Sequence, residues 1–249
     1  MMIAPDLALA KRFLDSSGAP GALLAGVTGS HLYGFPSADS DLDLKGIHVA
    51  ATADVVSLDP PRTSVDFLGV FEGVEVDYTS HEIAFALGLL LKGNGNILER
   101  IVSPLQALAP EPELTALATA SVSRRFHRHY RGYFHTTRAL AEKERTAKRM
   151  LYSYRSALTG IHLLRTGECI ASLAPLADEY RFPAVHDLLE RKRAGAEKAI
   201  LESLDPWQGD WPRLEELLGE AERSSRLPPE APNRGALSAY VVAQRRARF

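Results

Sequence analysis

Two aspartates early in the chain have the residue type and the spacing of a metal site. Asp41 and Asp43 stand two positions apart in residues 41–49, where polar and apolar residues alternate with the period of a half-buried strand. Residues two apart on a strand share a face, with Cα atoms roughly 6.5–7 Å apart. Two carboxylates held so close repel each other unless a cation lies between them, and oxygen ligands favour Mg²⁺ or Mn²⁺ over zinc.

A glycine–serine pair precedes these aspartates by a spacer of ten residues. Gly29 and Ser30 follow the apolar run at residues 23–27, so we expect them at the end of a buried strand, where a turn or a helix begins. Backbone N–H groups at such a point can hold a phosphate, and a glycine leaves room for its close approach. A phosphate-binding turn beside paired carboxylates suits metal-assisted phosphoryl or nucleotidyl transfer.

The pattern Gly29-Ser30-x10-Asp41-x-Asp43 resembles the signature of the DNA polymerase β-type nucleotidyltransferase superfamily. The flanking residues are similar to the RNA ligase-associated branch of predicted nucleotidyltransferases in that superfamily. This narrower resemblance is carried by His31, Leu32, Tyr33, Gly34, Ser40, Lys45, Gly46, Ile47, Asp77, Leu90, Leu91, Lys92, Asn94, Asn96, Ile97, Leu98 and Glu99, and more thinly by His129, Tyr130, Gly132, Tyr154 and Arg155. The chain departs from the branch at Gly95 and Arg100, where a proline and a tryptophan are usual.

The resemblance implies an α+β fold, in which a polymerase-β-like nucleotidyltransferase domain with a mixed sheet and flanking helices is followed by a mainly helical domain. It also implies a third carboxylate. Asp77 matches the family position, and Glu75 is the alternative on the same strand face. Asp41, Asp43 and Asp77 would then be the catalytic residues and would hold two metal ions, Mg²⁺ or Mn²⁺.

The implied reaction moves a nucleoside monophosphate from a nucleoside triphosphate, such as ATP, to a hydroxyl group with release of pyrophosphate. Gly29 and Ser30 would bind the triphosphate. Two further residues have two interpretations each. Lys45 either contacts a phosphate or neutralises Asp43 on the strand surface. Tyr33 either stacks on the base of the nucleotide or packs against the sheet.

The charged residues are distributed unevenly. The net charge is −2, but residues 1–108 contain 6 Lys+Arg against 13 Asp+Glu, whereas residues 109–249 contain 23 against 18. Ten of the basic residues lie in residues 124–155, and on a helix five side chains would form one basic stripe: Arg124, Arg128, Arg131, His135 and Arg138. With Lys148 and Arg155, this segment predicts contacts to RNA or phosphate, and an RNA end as acceptor. A solvated face, or one that packs on the acidic half, would produce the same pattern.

Further strands are predicted at residues 65–71 and 74–78, joined by a turn at Glu72 and Gly73. Residues 79–82, Thr-Ser-His-Glu, match a capping box, so we expect a helix that carries residues 83–91. Prolines near residues 104–112 coincide with the change in charge. We therefore predict a nucleotidyltransferase catalytic domain at residues 1–108 and a helical C-terminal domain at residues 109–249.

Composition excludes several other classes of protein. The longest strongly apolar run, residues 83–91, is too short to cross a bilayer, so we expect a cytoplasmic protein without a membrane partner. The single cysteine, Cys169, excludes an internal disulfide and a cysteine-rich zinc site. Two alternatives stay open: a catalytically inactive nucleotide- or RNA-binding module, and a HEPN-like ribonuclease activity in the helical half, suggested by the spacing of Arg155 and His162.

Overall fold

The computed structural model describes residues 4–37, 40–194, 200–205 and 207–248. The strands in this part of the chain are β1 (Ala22–Val27), β2 (Leu42–His48), β3 (Ser64–Phe71), β4 (Val74–Glu82) and β5 (Gln106–Leu108). The helices up to residue 120 are α1 (Leu7–Ser17), α2 (Gly29–Tyr33), α3 (Thr52–Val55), α4 (Ile83–Leu91), α5 (Gly95–Val102) and α6 (Pro112–Ala120). They are followed by α7 (Phe126–Glu144), α8 (Ala147–Thr166), α9 (Leu173–Glu179), α10 (Ala184–Ala194), α11 (Trp211–Ser224) and α12 (Arg234–Arg246).

The five strands form one mixed sheet in the order β3-β4-β2-β1-β5. The central pair, β2 and β4, is parallel, whereas β1 pairs antiparallel with β2 and with β5, and β3 pairs antiparallel with β4. The predicted α+β fold, with a mixed sheet and flanking helices followed by a helical region, is confirmed. The four strands predicted from the sequence, at residues 23–27, 41–49, 65–71 and 74–78, are all present.

The predicted capping box at residues 79–82 is wrong. These residues continue β4, which pairs with β2 as far as His48 and Glu82. Glu82 itself is the N-cap of α4, and its carboxylate accepts a hydrogen bond from the backbone N–H of Ala84 at 2.8 Å. Pairing with β2 on one side and with β3 on the other extends β4 beyond the point where local residue types predict a helix. In consequence Asp77 lies inside the strand rather than at its end.

The two faces of the sheet have different surroundings. On β4, Val76 and Tyr78 are buried, whereas Glu75 and Asp77 alternate with them on the opposite face. Helix α1 packs on the buried face, where the ring of Phe13 meets the ring of Tyr78 edge-on at 5.4 Å. The apolar side of α1 thus covers one face of the sheet, and the acidic side chains of β4 lie on the other face.

The chain divides into two compact units. The sheet unit contains the described residues within Pro5–Gly29, Asp41–Ser121 and Ala231–Phe249, and the helical unit contains those within Met1–Ala4, Ser30–Ser40 and Val122–Glu230. The sheet unit therefore includes α6 and α12, which lie beyond residue 108. Helix α12 joins it because the Asn233 side-chain amide donates to the Leu117 carbonyl at 2.8 Å and Arg245 forms a buried ion pair with Glu82. The division into domains at residue 108 stays a prediction.

In the helical unit, α7 and α8 pack against each other, and α9, α10 and α11 surround α8. The two long helices approach closely at Gly160, where a Cβ would lie only 2.5 Å from the Cβ of Tyr130. Both Tyr130 and the residues of α8 around Gly160 are buried. Among the described residues, no helix is both long enough and apolar enough to span a membrane.

Candidate active site

The predicted glycine–serine turn lies where expected, between the end of β1 and the start of α2. Gly29 has a φ of +62°, and a Cβ on it would lie 2.0 Å from Oδ2 of Asp43. The preceding residue, Thr28, donates its backbone N–H to the Asp43 carbonyl at 2.8 Å. The Asp43 carboxylate therefore occupies the space that a side chain at position 29 would fill. The glycine–serine turn and Asp43 thus pack directly against each other.

Asp43 and Asp77 are direct neighbours across the parallel pair of strands β2 and β4. Neighbouring residues of paired strands point to the same side of a sheet, so both carboxylates lie on the face opposite α1. Asp41 precedes β2 by one residue and is exposed, two positions from Asp43. Glu75 is exposed on the same face as Asp77, one step nearer the start of β4.

Lys45 forms an ion pair with Asp77. Its Nζ lies 2.8 Å from Oδ1 of Asp77 and also donates to the Oγ1 of Thr79 at 3.5 Å. The predicted neutralising role on the strand surface thus falls on Asp77, across the parallel pair, instead of on Asp43. The predicted phosphate contact of Lys45 stays a prediction.

The donor set fits a hard divalent cation in its chemistry. Asp43 and Asp77 supply carboxylate oxygens on one face of the sheet, with Asp41 nearby on the same chain segment, which is the ligand type that Mg²⁺ and Mn²⁺ prefer. Within the described part of the chain, however, no three carboxylate, imidazole or thiolate side chains converge on one point. Asp77 instead forms its ion pair with Lys45.

Arg100 supports the backbone of the site strand, a role that the sequence analysis missed. Its guanidinium donates to the Gly46 carbonyl at 2.7 Å, next to Lys45 in β2. Burial lowers the pKa of Arg100 to about 10. Arg100 stands where the family that the motif resembles usually has a tryptophan. This difference from the family pattern was the one signal in the sequence that could have identified Arg100. In the same block, Asn94 caps α5 by accepting from the backbone N–H of Ile97 at 3.2 Å.

Ser30 and Tyr33 belong to the helical unit and are buried. The Tyr33 ring has the guanidinium of Arg155 above it at 3.8 Å and meets the ring of Tyr152 edge-on at 5.6 Å. Because one face of the ring is covered by a side chain of its own unit, packing rather than base stacking describes Tyr33 in this structure. These two partners of the Tyr33 ring are side chains of α8, in the helical unit.

Arg155 and His162 are both buried within α8. Arg155 is 0% exposed, and its guanidinium also lies 5.9 Å from the Tyr133 ring. The Nδ1 of His162 lies 3.1 Å from the Tyr180 hydroxyl. Such burial does not favour the predicted contact of Arg155 with RNA or phosphate, or a HEPN-like ribonuclease site.

The predicted basic stripe lies on α7, apart from Arg124, which precedes the helix. Three of its members have acidic partners inside the helical unit. Arg131 and His135 contact Glu215 of α11 at 3.0 and 3.3 Å. Arg138 lies 3.8 Å from Glu142. Arg124 and Arg128 are exposed, and Lys148 is half-buried in the first turn of α8. Acidic residues of α7 and α11 therefore balance much of the stripe.

A comparison with curated proteins found no significant match. A family model does match, over residues 11–243, which is nearly the whole chain and includes the sheet, the glycine–serine turn and the three aspartates. The family is described as the RNA repair pathway DNA polymerase β family, abbreviated RlaP, in agreement with the resemblance of the motif. The chain belongs to this RNA repair pathway family of polymerase-β-like nucleotidyltransferases.

Proposed function

We propose that the chain is a metal-dependent nucleotidyltransferase that moves a nucleoside monophosphate from a nucleoside triphosphate to a hydroxyl group of an RNA end. Pyrophosphate is the second product. One observation carries this proposal: Asp43 lies directly beside Asp77 on the sheet face opposite α1, and Gly29 of the glycine–serine turn lies against the same Asp43 carboxylate. The signature residues of the family are thus neighbours in space as well as in the motif.

Each residue has a role that follows from its chemistry. Asp41, Asp43 and Asp77 would hold Mg²⁺ or Mn²⁺, which when bound neutralises charge on the reacting phosphate and favours the deprotonated form of the attacking hydroxyl. Gly29 and Ser30 would bind triphosphate oxygens through backbone N–H groups at the start of α2.

An RNA acceptor is supported by the family description, which refers to RNA repair. Arg124 and Arg128 are exposed, and among the described residues neither has an acidic side chain as ion-pair partner. These two residues replace the full stripe as the proposed backbone contacts, because Arg131 and Arg138 already contact glutamates. An arginine without a carboxylate partner can bind a phosphate without first breaking an ion pair.

The proposal is tested by incubating the protein with each labelled nucleoside triphosphate, Mg²⁺ or Mn²⁺, and total RNA. We expect one or more nucleotides to label RNA ends and to release an equal amount of pyrophosphate, only when the divalent ion is present. Asp43→Asn should abolish labelling, whereas Lys11→Met, on the exposed side of α1, should not. Label found only on protein or on small molecules would contradict the RNA acceptor.

A binding module without catalysis is the second candidate, because no three metal-ligating side chains converge among the described residues. Such a module would bind a nucleoside triphosphate or RNA in the same place but would never release pyrophosphate. Measuring nucleotide binding and pyrophosphate release on the same sample separates the two candidates, since only the enzyme gives both signals.

A further inference from the structure

Among the described residues, the hydrogen-bond partners of the Lys45 ammonium group all lie on the neighbouring strand β4. Besides Oδ1 of Asp77 at 2.8 Å and the hydroxyl of Thr79 at 3.5 Å, the ammonium lies 3.4 Å from the carbonyl oxygen of Asp77. The Lys45 side chain is 22% exposed and the Asp77 side chain 46% exposed. The ion pair is therefore half-buried on the same sheet face as Asp43 and open to solvent on the Asp77 side.

The register places Asp77 between two opposite influences on β2. Asp43 is its direct neighbour, whereas Lys45 is paired with Thr79 and lies one same-face step further along the strand. A second carboxylate repels Asp77, and an ammonium attracts it. In the structure the Asp77 carboxylate contacts the Lys45 ammonium.

We propose that Lys45 is an exchangeable counter-cation of the site. It holds Asp77 while the protein is free of divalent ion and releases Asp77 as a ligand when the ion binds beside Asp43. Lys45 then sets the affinity of the protein for its metal, because every binding event must break the ion pair. This inference rests on the proposed function, and it makes Lys45 a positioning residue that acts through Asp77. Once released, the ammonium is available to a phosphate oxygen. Lys45 would then neutralise a carboxylate before the metal ion binds and contact a phosphate afterwards.

The test measures Mn²⁺ binding to the full chain without nucleotide, by electron paramagnetic resonance of the free ion. Lys45→Met should tighten Mn²⁺ binding by roughly three- to tenfold, since the competing cation is gone and the carboxylates remain. Lys45→Arg keeps the charge and should stay close to wild type. Lys11→Met removes an exposed lysine from α1, on the other face of the sheet, and should have no effect.

A double variant separates exchange at Asp77 from a general effect of charge. In an Asp77→Asn background, Lys45→Met should change Mn²⁺ affinity by less than half of its effect in the wild type, because there is no ion pair to break. Melting temperature gives a second readout: Lys45→Met should melt lower than wild type without metal and gain more on adding Mn²⁺.

The outcomes distinguish this inference from the proposed function. Unchanged or weaker Mn²⁺ binding in Lys45→Met, while Asp43→Asn abolishes binding, would overturn the role of Lys45 and leave the metal site intact. If Lys45→Met changes the Mn²⁺ affinity equally in the wild type and in the Asp77→Asn background, the proposal that Asp77 exchanges between Lys45 and the metal ion is also overturned. Mn²⁺ binding that is absent, or indifferent to Asp43→Asn, would overturn both the inference and the metal-dependent function.

Discussion

Gly29 lies so close to the carboxylate of Asp43 that a Cβ would come within 2.0 Å of Oδ2. The contact joins the turn after β1 to the first residues of β2, the two halves of the motif that are separated in sequence by the ten-residue spacer. Position 29 must therefore be a glycine to leave space for the Asp43 carboxylate, whether or not a phosphate is bound. A substitution here should displace Asp43 as well as obstruct the triphosphate.

Gly29→Ala should therefore abolish nucleotidyl transfer and also lower the melting temperature, because the new methyl group collides with Asp43 at a positive φ. Gly73→Ala is a matched control. Gly73 has a φ of +82° in the turn between β3 and β4, with nothing within 4 Å of a Cβ. It should cost only the backbone strain, about 1–2 kcal/mol. Thermal unfolding and pyrophosphate release measured on both variants check this, and equal activity in the two would contradict it.

The third carboxylate is tested by comparing two residues on one strand face. Asp77→Asn should lower the rate of transfer by 100-fold or more, an order of magnitude typical of lost transition-state stabilisation, while the affinity for nucleoside triphosphate changes little. Glu75→Gln should stay within a few-fold of wild type, since Asp77 and not Glu75 is opposite Asp43. The reverse order of the two rates would assign the third carboxylate to Glu75.

The basic stripe divides into residues that stabilise the helical unit and residues exposed for RNA. Replacing Arg131 and Arg138 by glutamine removes contacts with Glu215 and Glu142 and should lower the melting temperature without changing the salt dependence of RNA binding. Replacing Arg124 and Arg128 should weaken RNA binding and flatten its log–log salt slope by about 0.7 per lost phosphate contact on single strands. Salt titrations of the two double variants check both halves, and an identical slope in both would contradict the division.

We expect His129 to make the stability of the fold depend on pH. Burial, and then the charge of Arg155, lowers the pKa of His129 to about 4. In the unfolded chain histidine titrates near 6.5, so between about pH 6.5 and 4 the unfolded state binds more protons and stability falls as the pH falls. His129→Phe keeps a ring that can stack on Tyr133 and should flatten the dependence of the melting temperature on pH in that window. An unchanged dependence would show that His129 does not titrate in this way.

Much of the sheet could be predicted from the sequence, because a strand with one buried face has alternating polar and apolar residues. The alternation at residues 41–49 predicts β2, and the turn at Glu72 and Gly73 separates β3 from β4. The end of β4 could not be predicted, because residues 79–82 have the local pattern of a capping box, whereas in the fold they pair with β2 on one side and residues 79–81 pair with β3 on the other. Partner strands from other parts of the chain leave no signal in the local sequence.

The candidate site shows the same limit. The motif identifies Gly29, Asp41 and Asp43, because the types of these residues and their spacing in the sequence indicate their chemistry. The partner of Lys45 depends on the register of β2 against β4, and Asp43 was the nearer candidate in sequence. The burial of Tyr33 under Arg155 joins residues more than a hundred positions apart. Contacts of this kind follow from tertiary packing, so residue types alone favoured exposed nucleotide and RNA contacts.

The most direct test of the account is the rate of pyrophosphate release by wild type and by Asp43→Asn, with nucleoside triphosphate, an RNA acceptor and Mg²⁺. We expect metal-dependent release by wild type and none above background from the variant, whose folding is checked by thermal unfolding. Release by the folded variant within a few-fold of wild type would contradict the assignment of this site.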